Sequence, residues 1–253
     1  MSAVGHLATP LEQEVAQALG RAAVYRLLGA AFAYPVAWRL QELAPVAAMA
    51  TEAPALALAV REPIARFAAV VREVDPVAVA AEYVFLFDRQ VRCPPYEGAY
   101  TAARELAGKA ARLADIAGFY AAFGVAPAAS QPDMEDHVAA ELEFMSILAL
   151  KEAYARGEAH AEGLEVTRGA ESAFLADHLG CWAAVFAEAL RRATPLPFYT
   201  AAAELLAAWV AAELRALGVR PAWTPGGDAP PEEESLTCPM APASTEEGPA
   251  GEA

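Results

Sequence analysis

The sequence lacks the short motifs that identify most enzyme active sites. It has no GxxxxGK[ST] or GxGxxG phosphate-binding loop, no HExxH zinc motif and no GxSxG nucleophile elbow. The Glu-x-x-His pattern of helical di-metal proteins is also absent. Two adjacent pairs do occur, Asp136-His137 and Asp177-His178, but neighbouring side chains point about 100° apart on a helix. These absences favour a binding protein over an enzyme.

Cysteines and long apolar runs are scarce too. Cys93, Cys181 and Cys238 are odd in number and far apart, so neither a disulfide framework nor a CxxC metal site is expected. No window of about 18 residues is free of both charge and proline, so no membrane insertion is predicted. The N-terminus lacks the basic and apolar regions of a secretory signal. Together these features predict a cytoplasmic protein.

Positive charge is in short supply. The chain has 18 Lys and Arg against 33 Asp and Glu, which gives a formal net charge of −15. Nucleic acid is therefore not an expected partner, because phosphate binding needs clustered basic residues. The charge suits a basic partner, such as an arginine-bearing peptide, although it also serves solubility.

Helical patterns dominate what is present. Hydrophobic residues make up 57% of the chain, much of it alanine, and no strand alternation competes with the helical spacing. The predicted helices are 11–34, 38–49, 54–74, 76–87, 99–107, 109–123, a segment to about residue 156, 165–192 and 198–217. Pro45, Pro54 and Pro63 are expected to divide the early part into short pieces, and Asp75 is expected to cap a helix that begins at Pro76. The predicted fold class is all-α.

The last 34 residues differ in composition from the rest. Residues 220–253 contain seven prolines, seven acidic residues and one base, which is typical of a disordered acidic tail. We therefore predict two parts, an all-helical domain over 1–219 and a Pro/Glu-rich tail over 220–253. The apolar Trp223 at the start of the tail is a candidate to dock back on the domain.

The segment Ser130–Leu150 is the most informative stretch. A loop with Pro132 leads into acidic residues and then His137, after which apolar residues follow at helical spacing. We expect these acids in the first helical turn, where the positive end of the helix dipole favours them. A helix start also leaves backbone N–H groups free to meet a partner. Asp136-His137 is thus a candidate polar site, but it fits equally well a helix cap with a satisfied histidine.

Four ordered motifs resemble the TorD/DmsD/NarJ family of cytoplasmic chaperones for molybdoenzymes. The motifs are Glu82-Tyr83-Val84-Phe85-Leu86-Phe87, Pro94-Pro95-Tyr96-Glu97-Gly98-Ala99-Tyr100, the stretch from Asp136-His137 to Phe144-Met145, and Phe174-x3-His178-Leu179-x2-Trp182-x3-Phe186. Pro197-Phe198-Tyr199 before the last helix also fits. These signals keep their order over about residues 11–217.

The resemblance implies a TorD-like helical fold, no catalytic turnover and no cofactor of its own. It implies that the chain binds the twin-arginine signal peptide and apo form of a molybdopterin-containing oxidoreductase, holds it for cofactor insertion and proofreads its export. The implied signal-peptide residues are Tyr83, Leu86, Phe87, Asp136 and His137. Glu82, Asp133 and Glu135, beside Asp136, are candidate partners for the peptide arginines, since carboxylates pair well with guanidinium groups.

Two other classes of protein remain open at this point. One is a helical metalloenzyme that uses His137, His178 and nearby carboxylates, and the other is an assembly scaffold for a mature partner. Either a monomer or a helix-swapped dimer is compatible with the pattern.

Overall fold

The computed structural model describes residues 9–52, 58–89, 91–100, 106–126 and 134–225. Within these ranges the chain is helical and has no β-strand, apart from one isolated bridge between Tyr96 and His137. The α-helices are α1 Pro10–Phe32, α2 Ala37–Glu52, α3 Leu58–Arg72, α4 Pro76–Tyr83, α5 Leu106–Ala122, α6 Val138–Gly157, α7 Ala161–Phe174, α8 Gly180–Ala193 and α9 Pro197–Leu217. The predicted all-α fold is therefore confirmed. Asp133 and the acidic tail from residue 226 onward lie outside the described residues.

The pair α1 and α6 forms the centre of the fold. Gly29 lets the two backbones approach closely, because a Cβ atom at this position would lie 3.1 Å from Cγ of Glu143 and 3.4 Å from the carbonyl oxygen of Ala139. Ser146 donates a hydrogen bond across the seam to the carbonyl of Ala22, at 3.0 Å. Around this pair, α2 packs on α1, α3 on α2 and α9, α7 on α6, and α8 on α9.

Several helix ends follow the chemistry that the sequence predicted. The side chain of Asp75 accepts a hydrogen bond from the N–H of Val77, and Pro76 is the first residue of α4. Gly218 ends α9 in the left-handed conformation with φ 69°, where glycine carries no Cβ penalty. Thr9 and Glu12 form a reciprocal capping box at α1, which the sequence reading did not identify.

Several predicted helix boundaries are wrong, and Gly108 lies inside α5 rather than between the predicted helices 99–107 and 109–123. Pro45 and Pro63 lie inside α2 and α3 rather than between short helices. The helix α6 begins at Val138, so Glu135 and Asp136 lie in the turn before it and not in its first turn. His137 is the N-cap, since its Nδ1 accepts a hydrogen bond from the N–H of Ala139 at 3.1 Å. A ring nitrogen here takes the place of the usual Ser, Thr, Asp or Asn oxygen.

Two π-helical turns keep evenly spaced aromatic residues on the core side. They are Val84–Arg89, which continues α4, and Leu175–Leu179, which joins α7 to α8. A strict four-residue spacing drifts by about 40° per step around an α-helix of 3.6 residues per turn. The wider i→i+5 turn opposes this drift. As a result the stripe Phe174, His178, Trp182 and Phe186 is buried along its whole length.

The joined helix Ala161–Ala193 has 33 residues and is, among the described residues, long and apolar enough to cross a membrane by length and composition. In the fold, 61% of its most apolar window is buried. Its large side chains Phe174, Trp182 and Phe186 belong to the hydrophobic core. A core helix therefore accounts for its apolar character.

A buried ion cluster crosslinks four helices at the other end of the α1–α6 seam. Arg21 of α1 lies 3.1 Å from Glu171 of α7 and 2.8 Å from Glu213 of α9, and it also contacts Glu152 of α6. Although burial opposes the charged form, Glu213 and Glu171 raise the pKa of Arg21. The guanidinium therefore stays charged inside the fold and fixes the mutual positions of these helices.

Candidate functional site

The turn before α6 pairs with the segment Cys93–Tyr100. The N–H of Glu97 donates to the carbonyl of Asp136 at 2.9 Å, and the N–H of Val138 donates to the carbonyl of Pro95 at 2.8 Å. The rings of Tyr96 and His137 meet edge to face, with centroids 5.1 Å apart. Two motifs that lie about 40 residues apart in the sequence thus form one locally extended structure at the start of α6.

Three buried carboxylates converge at this point, and we call Glu97, Asp136 and Glu141 the carboxylate cluster. Glu97 and Glu141 are 0% exposed and Asp136 is 1% exposed. Glu141 accepts a hydrogen bond from Nε1 of Trp182 at 3.1 Å. Asp136 accepts one from the N–H of Gly98 at 3.0 Å. Neither of these donors is charged, so they offset the burial of the carboxylates only in part.

Basic side chains meet the cluster at two points, Arg112 and His178 at Glu97, and Lys109, whose charge opposes the raised pKa of Asp136. Nη1 of Arg112 lies 2.9 Å from one oxygen of Glu97, and Nδ1 of His178 lies 3.2 Å from the other. Nε2 of His178 also contacts Asp115, at 3.2 Å. The prediction that His178 is hydrogen-bonded inside the core is therefore confirmed, and its partner is a carboxylate from a distant segment.

The electrostatics favour cations and protons at this site. Burial, followed by the neighbouring charge of Glu97, raises the pKa of Glu141 well above its usual range. Burial also raises the pKa of Asp136, although the N–H of Gly98 opposes this shift. A cluster of buried carboxylates whose hydrogen-bond donors are mostly neutral is suited to a cationic ligand such as a guanidinium group.

The aromatic residues implied by the family resemblance lie inside the protein. Tyr83, Leu86 and Phe87 are all buried, and the ring of Phe87 meets those of Tyr83 at 4.9 Å and Tyr199 at 5.6 Å. Tyr34, which is 49% exposed, covers Tyr83 at 5.2 Å. This set touches the surface through its neighbours rather than directly.

The structure brings five of the eight predicted site residues into two groups. Tyr83, Leu86 and Phe87 form one group, and Asp136 and His137 form the other at the carboxylate cluster. The groups are linked through the core by Phe186, whose ring lies 6.3 Å from Phe87 and 5.5 Å from Trp182. Glu82 and Glu135 are half-buried. Asp133 is not among the residues that the structure describes.

Sequence reasoning missed Glu97, Glu141 and Arg112 as members of the site. Glu141 carried a usable signal, because it is a charge on the face of α6 that also holds Val138, Leu142 and Met145. Arg112 carried none, since its helix position says nothing about a partner 15 residues away. The predicted docking of Trp223 is confirmed, as its Nε1 donates to the carbonyl of Asp177 at 3.1 Å.

The metal-site alternative finds no support in the ranges that the structure covers. No group of three or more His, Cys, Asp or Glu side chains there has the geometry to hold a metal ion. Nδ1 of His178 makes a hydrogen bond with Glu97, and its Nε2 lies 3.2 Å from Asp115. His137 uses its Nδ1 to cap α6.

The fold and the site together define an all-helical protein with a buried acidic site suited to cations. A family model described as nitrate reductase delta subunit matches residues 53–188, over half of the chain, and the chain belongs to this family. A chaperone protein TorD from Aeromonas salmonicida is 33% identical over 162 residues, which cover 64% of this chain and 70% of that protein. A TorD of Vibrio cholerae serotype O1 is 31% identical over 142 residues, covering 55% of this chain and 62% of the relative.

These similarities confirm the resemblance to TorD-type chaperones that the ordered motifs predicted. The relatives are named chaperones, so the family is one of non-enzymatic proteins. The matched residues 53–188 include the aromatic motif, the segment around Glu97, the start of α6 and the stripe on α7 and α8.

Proposed function

We propose that the chain is a cytoplasmic maturation chaperone for a molybdopterin-containing oxidoreductase. It binds the twin-arginine signal peptide and the apo form of the catalytic subunit, holds that subunit for cofactor insertion and proofreads its export. The family assignment supports the chaperone role and a molybdoenzyme partner. The carboxylate cluster is the observation that carries the peptide proposal, since buried carboxylates short of cations suit arginine side chains.

The peptide-binding site is proposed to have a polar end and an apolar end. Asp136 and His137 belong to the polar end, with Glu82, Asp133 and Glu135 as further partners for the peptide arginines. Tyr83, Leu86 and Phe87 form the apolar end, where the helix-prone part of a signal peptide would pack. Because the structure holds these apolar residues inside, we propose that the peptide reaches them by displacing exposed neighbours such as Tyr34.

Calorimetric titration with a twin-arginine peptide tests this proposal. The peptide should come from a molybdoenzyme encoded next to this chain, and the control peptide should carry alanine at both arginines. We expect binding of the first peptide and at least tenfold weaker binding of the second, since a charge-assisted pair contributes about 1.5–3 kcal/mol. Equal binding of the two peptides, or no binding of either, would reject the proposal.

The site assignment needs a variant that keeps the fold. Asp136→Asn retains an acceptor for the N–H of Gly98 but removes the charge, so we expect weaker peptide binding with a normal thermal unfolding profile. Glu188→Gln is the matched control. Glu188 lies on α8, where it pairs with exposed arginines of the same helix, and it is far from the cluster in the sequence. Unchanged affinity in Asp136→Asn would remove Asp136 from the site.

A further inference from the structure

One arginine of the chain already occupies the carboxylate cluster. Nη1 of Arg112 contacts Glu97 at 2.9 Å, and the side chain of Arg112 is 25% exposed whereas that of Glu97 is fully buried. On its other side, the guanidinium of Arg112 lies 5.0 Å from the centre of the Trp223 ring. Arg112 therefore enters the cluster from the surface and is held between a buried carboxylate and an aromatic cover.

The cluster offers more acceptors than Arg112 uses. Oδ1 of Asp136 is buried and accepts no hydrogen bond from the residues that the structure describes. Nε of Arg112 is likewise buried without an acceptor there. A guanidinium group has five N–H donors in a fixed planar arrangement. The position of Arg112 thus leaves an acceptor that a guanidinium from another direction could use.

The part of α5 that carries Arg112 is attached to the rest of the protein by few contacts. Residues 108–111, 114 and 115 are exposed. The helix is anchored further on, where Ile116 and Tyr120 are buried and Phe119 packs on Phe174. The first half is held by polar contacts, the ion pair of Arg112 with Glu97, the contact of Asp115 with His178 and the charge of Lys109 acting on Asp136.

Trp223, which follows α9 in the chain, covers Arg112. Its Nε1 donates to the carbonyl of Asp177, and the N–H of Ala222 donates to the carbonyl of Ala176 at 2.8 Å. Both acceptors lie in the π turn Leu175–Leu179, where i→i+5 pairing leaves carbonyls available to other donors. The residues that follow α9 are therefore fastened beside the cluster by specific backbone contacts.

We propose that Glu97 and Asp136 form a guanidinium-binding site that Arg112, covered by Trp223, occupies in cis as an autoinhibitory plug. An arginine of a bound peptide enters by replacing Arg112, which moves out with the first half of α5. The exchange keeps the buried charge of Glu97 paired, which makes it far less costly than opening the cluster to no cation. This inference rests on the proposed function for the identity of the incoming group, while the site itself is defined by residues of this chain.

A plug of this kind multiplies the affinity for the peptide by the fraction of molecules in which the plug is absent. If Arg112 is in place nine-tenths of the time or more, the apparent dissociation constant for the peptide rises about tenfold or more. Trp223→Ala removes the cover without removing a charge, so it loosens the plug and leaves Glu97 paired. We expect this variant to bind the twin-arginine peptide about tenfold more tightly than the unmodified chain.

The guanidinium site is tested without any peptide. Arg112→Ala should be stabilised against thermal unfolding by millimolar N-acetyl-arginine amide, because the added guanidinium replaces the missing one. N-acetyl-lysine amide at the same concentration controls for ionic strength and should have a clearly smaller effect, since it lacks the planar set of donors. Arg191→Ala is the matched control, because Arg191 pairs with Glu188 in an exposed position. Equal melting shifts in the two variants would overturn the site.

The two experiments separate failure of the plug from failure of the proposed function. If the unmodified chain binds the peptide and Trp223→Ala binds it no more tightly, the plug is rejected and the function stands. If no form binds the peptide but Arg112→Ala takes up the arginine amide, the guanidinium site stands and the peptide proposal fails. Should Arg112→Ala not fold, the peptide affinity of Trp223→Ala decides the matter.

Discussion

At the scale of single residues, buried glutamates of this protein differ in the groups that compensate their burial. Burial alone would raise the pKa of Glu152. Arg21, Arg156 and Arg168 surround this carboxylate, however, and its pKa is lowered. Glu141 has the neutral donor of Trp182 and the like charge of Glu97, and its pKa is raised by burial above all. Burial therefore shifts the pKa of the same residue type upward at one end of α6, while arginines shift it downward at the other.

Replacing Glu141 tests whether its hydrogen bond or its charge matters for folding. Glu141→Gln keeps an acceptor for Nε1 of Trp182, so we expect a free energy of unfolding within about 1 kcal/mol of the unmodified chain. Glu141→Ala leaves that N–H unpaired beside a cavity, and we expect a loss of about 3 kcal/mol. Urea unfolding at pH 8 measures both. A Gln variant as unstable as the Ala variant would mean that the fold requires the carboxylate itself.

Glu171 makes folding stability depend on pH. Burial raises the pKa of Glu171 to about 7, although Arg21 opposes the shift, from an unfolded value of 4.5. The folded chain therefore binds a proton more tightly than the unfolded one. The associated stability is complete below pH 4.5 and is lost as the pH rises through about 7.

We accordingly expect Glu171→Gln to flatten the pH dependence of unfolding between pH 5 and pH 8. The difference between the two chains in this interval should be on the order of 2 kcal/mol. Thermal or denaturant unfolding at both pH values gives the comparison, and Glu204→Gln on the surface ion pair with Arg66 is the control. Parallel curves for the unmodified chain and Glu171→Gln would contradict the assignment.

At the scale of elements, the sequence predicted most helices because their apolar spacing and caps are local signals. Asp75-Pro76 and Gly218 act through atoms within a few residues, and both end their helices as expected. The prolines of α2 and α3 misled the prediction, since packing of these helices on α1 and α9 overrides the local cost of proline. The carboxylate cluster could not be predicted, because Glu97 meets His178 only through tertiary structure, 81 residues along the chain.

Replacing Pro45 measures how large a local cost of proline the packing of α2 overcomes. Pro45 is exposed in the middle of α2, where it removes one helical hydrogen bond. We expect Pro45→Ala to raise the free energy of unfolding by roughly 1–2 kcal/mol, since alanine restores the bond but adds freedom to the unfolded chain. Thermal unfolding tests this expectation. Ala48→Gly, at an exposed position of the same helix, is the comparison and should lower the melting temperature. A lower melting temperature for Pro45→Ala would show that the fold needs the local bend.

At the scale of the whole molecule, the excess of acidic residues should govern how a basic peptide arrives. The chain carries a net charge of −15, and the residues from 220 onward contribute seven acids against one base. Long-range attraction of this kind acts mainly on the rate of association and is screened by salt.

We therefore expect the association rate of the twin-arginine peptide to fall roughly fivefold or more between about 50 mM and 500 mM salt, while dissociation changes less. Stopped-flow mixing at several salt concentrations measures both rates. A peptide with lysines in place of the two arginines should show the same salt dependence of association but faster dissociation. An association rate insensitive to salt would mean that net charge has no part in capture.

The π turn Leu175–Leu179 also provides the carbonyls that fasten the residues after α9. Deleting Ala176 would turn this segment into regular α-helix, and because the wide turn holds one residue more than an α-helical turn, the residues beyond it would keep their rotational phase. Trp182 would still face Glu141, whereas the carbonyls that fasten Ala222 and Trp223 would be lost together. A deletion of one residue in this turn therefore separates the cover from the site, since it releases Trp223 and leaves the carboxylate cluster in place.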